Sequence, residues 1–362
     1  MKKALIVILA LLITVSTGIG GFVLFQSSKG ISYDISNAEK IPNDIEIVSE
    51  DEDSVTLKKN SEGEFRVLMF TDTHLKGDKT LDNTTVSFMV KNITEQKPDL
   101  VILGGDIVTY GFNKKRNIEL CELFEKLGVY WASVLGNHEG DGFMMLPRKD
   151  VVELYSSYEH CLLTAGRADV DGYGNCTLNI LNSDGSLREV FFLFDSGGYM
   201  TEEGKLEYGI TTEDDVYDGV KTSQVNWYKE KHDSIENEYG KFSSVTVMHI
   251  PPFEAEREYA DGEFLYGEKR EGVCESGFDA GIVDAMLEKG SASAVFFGHD
   301  HLNDFGVMYE DIVLSYIQPS GYGAYNMQSK FDAPENEWIQ GCTLLKIAEN
   351  GTFVTEKIYN HK

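Results

Sequence analysis

Arg66-Val67-Leu68-Met69-Phe70-Thr71-Asp72-Thr73-His74 passes from a short apolar run directly into a carboxylate and an imidazole two residues apart. A run of this length, polar only at its ends, predicts a strand over 66–71 that is buried on both faces. The same passage recurs four times downstream. Residues 99–103 lead into Gly104-Gly105-Asp106, and 130–135 into Gly136-Asn137-His138-Glu139. Residues 243–248 lead into His249-Ile250-Pro251, and 294–297 into Gly298-His299-Asp300-His301. Helical patterns at 84–96, 117–127, 223–239 and 278–289 fall between the strands, with a further strand predicted at 190–194. This β-α-β rhythm predicts an α/β core on buried strands. The end of the chain differs. Residues 312–317, 343–347 and 353–358 read as strands without intervening helices, and Asn350-Gly351 as the hairpin turn joining the last two.

The composition is that of a globular protein: 362 residues, 42% apolar and 25% charged, enough for one large domain or two small ones. Asp and Glu number 60 against 32 Lys and Arg, a net charge of −28. With no basic run to reverse it, that balance argues against nucleic acid as a partner. It also means that something other than net charge must hold an anionic substrate. The 5 cysteines are scattered and form no C-x-x-C pair, so neither a disulfide framework nor a cysteine zinc site is expected. Cys121 shares helical spacing with Leu120, Phe124 and Leu127, which predicts a small buried hydrophobe.

Lys2 and Lys3 precede an uncharged, mostly apolar stretch at 4–25, long enough as a helix to cross a hydrocarbon core of about 30 Å. Residues 1–28 are therefore expected to form an N-terminal transmembrane helix that keeps the lysines in the cytoplasm. That places the rest of the chain outside, on a single-pass anchor in the cell membrane. The alternative is a long cleaved signal, with Ser16-Thr17-Gly18 as the cleavage region, which makes the domain secreted. The polar, acidic stretch 29–63, including Ser49-Glu50-Asp51-Glu52-Asp53, is expected to be a tether with one short strand near 45–48. The folded domain is expected over 64–362.

In open α/β sheets ligands bind at the carboxyl ends of the strands, where all five polar loops fall. These loops hold five of the 8 histidines; His160, His232 and His361 lack such a setting and are expected at the surface. Each fragment alone has an ordinary explanation, such as a turn or helix cap for an Asp after two glycines. Five of them in order, each after a predicted strand, point to a metal site. Imidazole suits zinc, iron and manganese, and carboxylate and amide oxygens suit harder ions. A carboxylate such as Asp106 can join two cations, and paired ions about 3.5–4 Å apart clamp the oxygens of an in-line displacement. Such a pair also brings positive charge to a phosphate inside an acidic protein.

The set Asp72-Thr73-His74, Gly105-Asp106, Gly136-Asn137-His138-Glu139, His249 and Gly298-His299-Asp300-His301 resembles the calcineurin-like metallophosphoesterase family. Asp195-Ser196-Gly197-Gly198-Tyr199 and Gly321-Tyr322-Gly323-Ala324-Tyr325 are similar to its purple-acid-phosphatase-29-like branch. The resemblance implies a four-layer α-β-β-α sandwich and two divalent ions, manganese, zinc or iron. It implies that Asp72, His74 and His301 hold one ion, that Asn137, His249 and His299 hold the other, and that Asp106 bridges them. His138 is then a catalytic residue rather than a ligand, protonating the leaving oxygen or steadying charge on the phosphoryl group, and a metal-bound hydroxide the nucleophile. The implied activity is that of a phosphatase on a phosphorylated small molecule or phosphoprotein. A phosphodiesterase or nucleotidase, or a non-catalytic binding protein on this scaffold, are the alternatives. Thr109 stands where purple phosphatases place a ligand tyrosine, so a divalent pair without colour is expected. The loop at 322–325 is expected to be a packed turn, with a cover over substrate as the alternative, and Asp300 and Asp304 either partners of the histidines or solvated acids.

Overall fold

In the computed structural model, which describes residues 38–140 and 142–360, the predicted strands, with others that the sequence did not mark, assemble into two sheets. The strands are β1 (Ile45–Glu50), β2 (Ser54–Lys59), β3 (Phe65–Phe70), β4 (Leu100–Leu103), β5 (Tyr130–Ser133), β6 (Cys176–Leu181) and β7 (Leu187–Leu193). They continue as β8 (Ser244–Val247), β9 (Glu263–Tyr266), β10 (Ala292–Phe297), β11 (Gly306–Tyr309), β12 (Ile312–Tyr316), β13 (Gly341–Ile347) and β14 (Phe353–Tyr359). The helices are α1 (Lys79–Gln96), α2 (Lys114–Leu127), α3 (Arg148–Tyr155) and α4 (Glu202–Glu207). After them come α5 (Thr222–Tyr239), α6 (Glu254–Asp261), α7 (Ile282–Lys289) and α8 (Met327–Phe331).

One sheet is nine-stranded, in the order β1-β2-β6-β7-β8-β10-β12-β11-β9; the other is five-stranded, in the order β14-β13-β3-β4-β5. The strands that carry the polar loops are parallel within each sheet: β3 with β4 and β4 with β5, and β8 with β10. Alternation along the strands sets the layers. Phe191 and Leu193 of β7 and Phe296 of β10 join the core that holds the five-stranded sheet. Their neighbours Val190, Phe192, Val295 and Phe297 pack in a second core with Trp227 and Tyr228 of α5 and Val283 and Met286 of α7. On the other side, Phe88 of α1 and Phe124 of α2 lie in the first core, edge-on to Phe70 of β3 and stacked on Trp131 of β5. Helices, sheet, sheet and helices succeed one another, the layering the resemblance implied. Cys121 is fully buried in the first core, as its spacing predicted.

Helix ends follow local chemistry. The Asp78 side chain accepts from the Thr80 and Leu81 N–H groups to start α1, and Gly128 at φ 64° ends α2, where a residue without Cβ adopts the left-handed conformation freely.

Three expectations change. The stretch expected to be a tether contributes β1 and β2 to the nine-stranded sheet, with Val55 and Leu57 in the core. Its acidic residues fall in the turn between the two strands and on the exposed face of β1, so composition concealed a strand pair. His232 is buried on α5, 5.0 Å from the Phe242 ring, and His160 is half-buried with its Nδ1 2.7 Å from Glu125; neither is a free surface residue. The N-terminal transmembrane helix falls on residues outside the described ones, as does His361. Among the described residues, no helix is long and apolar enough to cross a membrane.

Candidate metal centre

The five loops meet because their strands are parallel and end on the same edge. Backbone bonds then tie loop to loop: Asp72 N–H donates to the Gly105 carbonyl, His74 N–H to that of Asp106 and Gly298 N–H to that of His249, each at 3.0 Å. The approach is close. A Cβ on Gly136 would sit 2.2 Å from Asp106 Oδ1, and Gly105, at φ 94°, would meet the His249 ring at 2.5 Å. Four of the candidate ligands are themselves left-handed: Asp72 at φ 51°, His74 at 43°, Asp106 at 52° and His299 at 80°. Such residues cost about 1–3 kcal/mol each and persist only where their surroundings over-determine them.

Two groups of buried donors result, Asp72 with His74 and His301, and Asp106 with His249 and His299. In the first, His74 Nε2 and His301 Nε2 face each other at 3.1 Å, and Asp72 Oδ1 lies 3.8 and 3.3 Å from them. In the second, His249 Nε2 lies 3.4 Å from Asp106 Oδ2 and 3.2 Å from Asn137 Oδ1. Asp106 Oδ2 is also 3.5 Å from His74 Nε2, so one carboxylate oxygen stands between the groups. All seven side chains expected as ligands therefore converge. His138 belongs to neither group; its ring centroid lies 5.6 Å from that of His74, while its backbone N–H donates to Asp106 Oδ1 at 2.8 Å.

The donor set fits a pair of cations. No hydrogen bond reaches Asp72 Oδ1 or His299 Nε2, although both are buried, and there is one such atom in each group. Orphaned buried polar atoms are uncommon and point to a ligand or ion. Electrostatics agree. Burial disfavours charge on Asp72, yet His301 and His74 beside it hold its carboxyl well below the usual range. Burial likewise opposes charge on His249, but Asp106 and Asp72 push it up to about 10. Burial and the charge of His249 lower His299 to about 3. Two ionised carboxylates thus lie buried among imidazoles, a setting in which cations are the natural partners.

Further side chains hold these donors in place. Glu139 accepts from the N–H groups of Asp106, Gly136 and Ile107 at 2.9, 2.6 and 2.6 Å, pinning the loops after β4 and β5 together. Arg148 donates to the Gly136 and Glu139 carbonyls at 2.5 and 3.0 Å and pairs with Asp195. His249 Nδ1 faces the Gly104 carbonyl at 2.8 Å, and His301 Nδ1 that of Tyr325 at 3.1 Å. Outer bonds of this kind fix ring orientation in metal sites. Glu139 was visible in its loop but carried no assigned role, and nothing local marks Arg148. Asp300 and Asp304 are neither solvated nor bonded to the histidine rings. Asp300 accepts from the Tyr316 hydroxyl and the Cys274 N–H; Asp304 pairs with Arg270 and accepts from the Tyr359 hydroxyl.

Residues 65–303 match the family model described as calcineurin-like phosphoesterase. The chain belongs to the calcineurin-like phosphoesterase family. It is similar to two Arabidopsis thaliana proteins named probable inactive purple acid phosphatase 14 and 29. The first is 28% identical over 74% of this chain and 73% of the relative, the second 26% identical over 74% and 75%. Phosphatase DCR2 of Saccharomyces cerevisiae is 26% identical over 69% of this chain and 46% of its own length. Among solved structures, a dimetal phosphatase from Danio rerio shares the fold at a TM-score of 0.54 and 12% identity, covering 82% of this chain and 97% of the other.

Beside this candidate metal centre opens a cavity of about 910 Å³ whose lining includes His74, His138, His301, Lys76, Tyr110 and Tyr325. The loop at 322–325 is more than a packed turn. Tyr325 stacks on His301 with centroids 4.3 Å apart, and Lys76 Nζ donates to the Gly323 carbonyl at 2.5 Å. Thr109 is buried, whereas Tyr110 points into the cavity mouth, 73% exposed with its backbone at φ 72°.

Proposed function

We propose that the protein is a dinuclear-metal phosphoester hydrolase acting on monoesters, with its domain outside the cytoplasm on an N-terminal membrane anchor. The observation that carries the catalytic reading is the meeting of two buried three-donor groups at Asp106. Asp72, His74 and His301 would hold one ion, Asn137, His249 and His299 the other, with Asp106 shared. Such a pair would supply positive charge for a phosphoryl group within an acidic protein and Lewis acidity at the reacting phosphorus. The chain's own contribution is positional. Glu139 and Arg148 fix the loops, and the donors they hold are buried. His138, at the cavity floor, is placed to protonate the departing alkoxide oxygen. The anchor rests on the lysines and apolar stretch at 2–25. The names of the two Arabidopsis relatives mark them as probable inactive enzymes; this chain holds all seven side chains of the proposed ligand set together with His138.

The test is metal analysis of the purified protein followed by turnover of paired mono- and diesters. Two ions per chain and faster monoester hydrolysis are expected, and Asp106→Ala should lose both ions with nearly all turnover. Full activity of a verified metal-free protein refutes the reading, and full metal occupancy without turnover of any ester refutes catalysis.

A further inference from the structure

We propose that the cavity beside His138 is a leaving-group subsite for the aromatic body of a small-molecule phosphomonoester, an inference that rests on the hydrolase reading above. Continuity comes first: His74, His138 and His301 line both the metal centre and the cavity, so a group esterified to a phosphate held there extends into it. Size comes second. At about 910 Å³ the cavity matches sites that bury whole organic ligands of drug size, and a two- or three-carbon alcohol would leave most of it to water.

The lining decides the chemistry. Tyr110, Phe112, Phe143 and Tyr325 bring four rings from three loops. Tyr110 and Phe143 stand 73% and 79% exposed at its mouth, an arrangement that keeps apolar surface in water unless something covers it. Their loops are braced. Arg116 donates to the carbonyls of Thr109, Tyr110 and Gly111 at 3.0, 2.9 and 3.1 Å. Phe112 N–H donates to the Met144 carbonyl at 2.9 Å, and the Phe112 and Phe143 rings meet edge to face at 6.4 Å. Left-handed backbone at Tyr110, Phe112 and Met144 (φ 72°, 58° and 61°) fixes the presentation. Rings offered as edges and faces favour a ring between them, because aromatic pairs gain beyond the area they bury. The described lining residues include no carboxylate, while Lys76 and Arg116 are among them. In a chain of net charge −28, these two cations suit an anionic ester.

The experiment compares ethyl, benzyl and 2-naphthylmethyl phosphate, whose leaving alcohols are of similar acidity, on the metal-loaded full chain. It adds calorimetric binding of methylphosphonate and benzylphosphonate, neither of which can be turned over. From ethyl to naphthylmethyl, kcat/KM should rise about 10–100-fold, the span that an apolar subsite of this kind supplies. Phe143→Ala and Tyr110→Ala, both at exposed side chains whose loss spares the core, should each shrink that ratio several-fold. Equal kcat/KM for the three esters overturns the subsite and leaves the hydrolase reading intact. Tighter binding of benzylphosphonate without turnover of any ester supports the ring-binding cavity and overturns the hydrolase reading. Failure of both phosphonates to bind, with no ester turned over, overturns both, and their failure beside ester turnover overturns the subsite alone.

Discussion

Glu139→Ala and Glu139→Gln separate a bystander in the metal-centre motif from the residue that holds it together. The Glu139 carboxylate accepts three buried N–H groups, those of Asp106 and Gly136 on Oε2 and of Ile107 on Oε1. Alanine leaves all three without a partner. At about 1–3 kcal/mol for each orphaned buried donor, the loss is about 3–9 kcal/mol, a large part of the 5–15 kcal/mol typical of a folded domain. Glutamine keeps one oxygen, enough for Asp106 and Gly136, but turns its amide NH₂ toward the Ile107 N–H. Its cost is therefore about one bond, or 1–3 kcal/mol. With roughly 2 °C of melting temperature per kcal/mol in a chain of this size, the expected drops are about 2–6 °C for glutamine and 6–18 °C for alanine.

The assay is thermal unfolding with a chelator present, so that metal binding does not mask the difference. It belongs at pH 8, because burial and the neighbouring Asp106 push Glu139 up to about 7 and the ionised acceptor is the one in question. Metal titration follows. Asp106 holds a left-handed backbone at φ 52° that its own energetics resist; released from Glu139, its carboxylate drifts from the point between His74 and His249. Metal affinity should then fall about 10–100-fold, as it does on losing an outer partner. Variants that both melt within 1 °C of the parent and bind metal equally well would refute the reasoning.

His138→Ala should retain both ions and lose about 10²–10⁴-fold in rate, the usual worth of a positioned acid, with a smaller loss for esters of acidic alcohols; metal lost in proportion would make His138 a ligand. Glu189 is fully buried on β7 with Oε2 unpaired, and burial pushes its carboxyl up to about 8. A folded value above the unfolded one means stability that is complete below about pH 4.5 and is lost as pH rises toward 8. Glu189→Gln should therefore gain on the order of 3 kcal/mol at pH 8 and little at pH 5, read by denaturant unfolding; equal gains at both would show that the carboxyl is solvated.

What the sequence made legible was what is local. The strand predicted at 66–71 forms over Phe65–Phe70, that at 343–347 over Gly341–Ile347, and the helix predicted at 223–239 over Thr222–Tyr239. Each carries its apolar pattern within its own few residues. The five loops were legible for a related reason: the polar residues follow buried strands, and topology brings those strand ends together. Pairing between distant segments was hidden. β2 enters the sheet alongside β6, more than a hundred residues away, and Cys176–Leu181 itself, with Thr177 and Asn179 inside the core, lacks the apolar run that marks a buried strand. Tyr325 reaches His301, and Arg148 reaches Asp195, across loops whose approach no periodicity encodes. His232 was misplaced because a histidine on a mostly polar helix reads as exposed unless the ring it packs against, Phe242, is known to be there.

The strain in the centre and its support are one design. Asp72, His74, Asp106 and His299 all depart from the ordinary backbone regions, at about 1–3 kcal/mol apiece. Each is met by a bond from another loop: Asp72 by Gly105, His74 through its N–H to Asp106, Asp106 by Glu139, and His299 through its N–H to Asp72 Oδ2 at 3.1 Å. In an extended segment the i and i+2 side chains of Asp72/His74 and of His299/His301 would share a face about 7 Å apart; the left-handed turns redirect them toward the centre. For His299 and His301 it is this turn at φ 80°, following Gly298, that lets neighbours in sequence serve opposite donor groups. Substituting any one of the four therefore removes a donor and also relaxes the loop that positions its neighbour, so losses at paired sites such as Asp72 and His299 are coupled rather than additive.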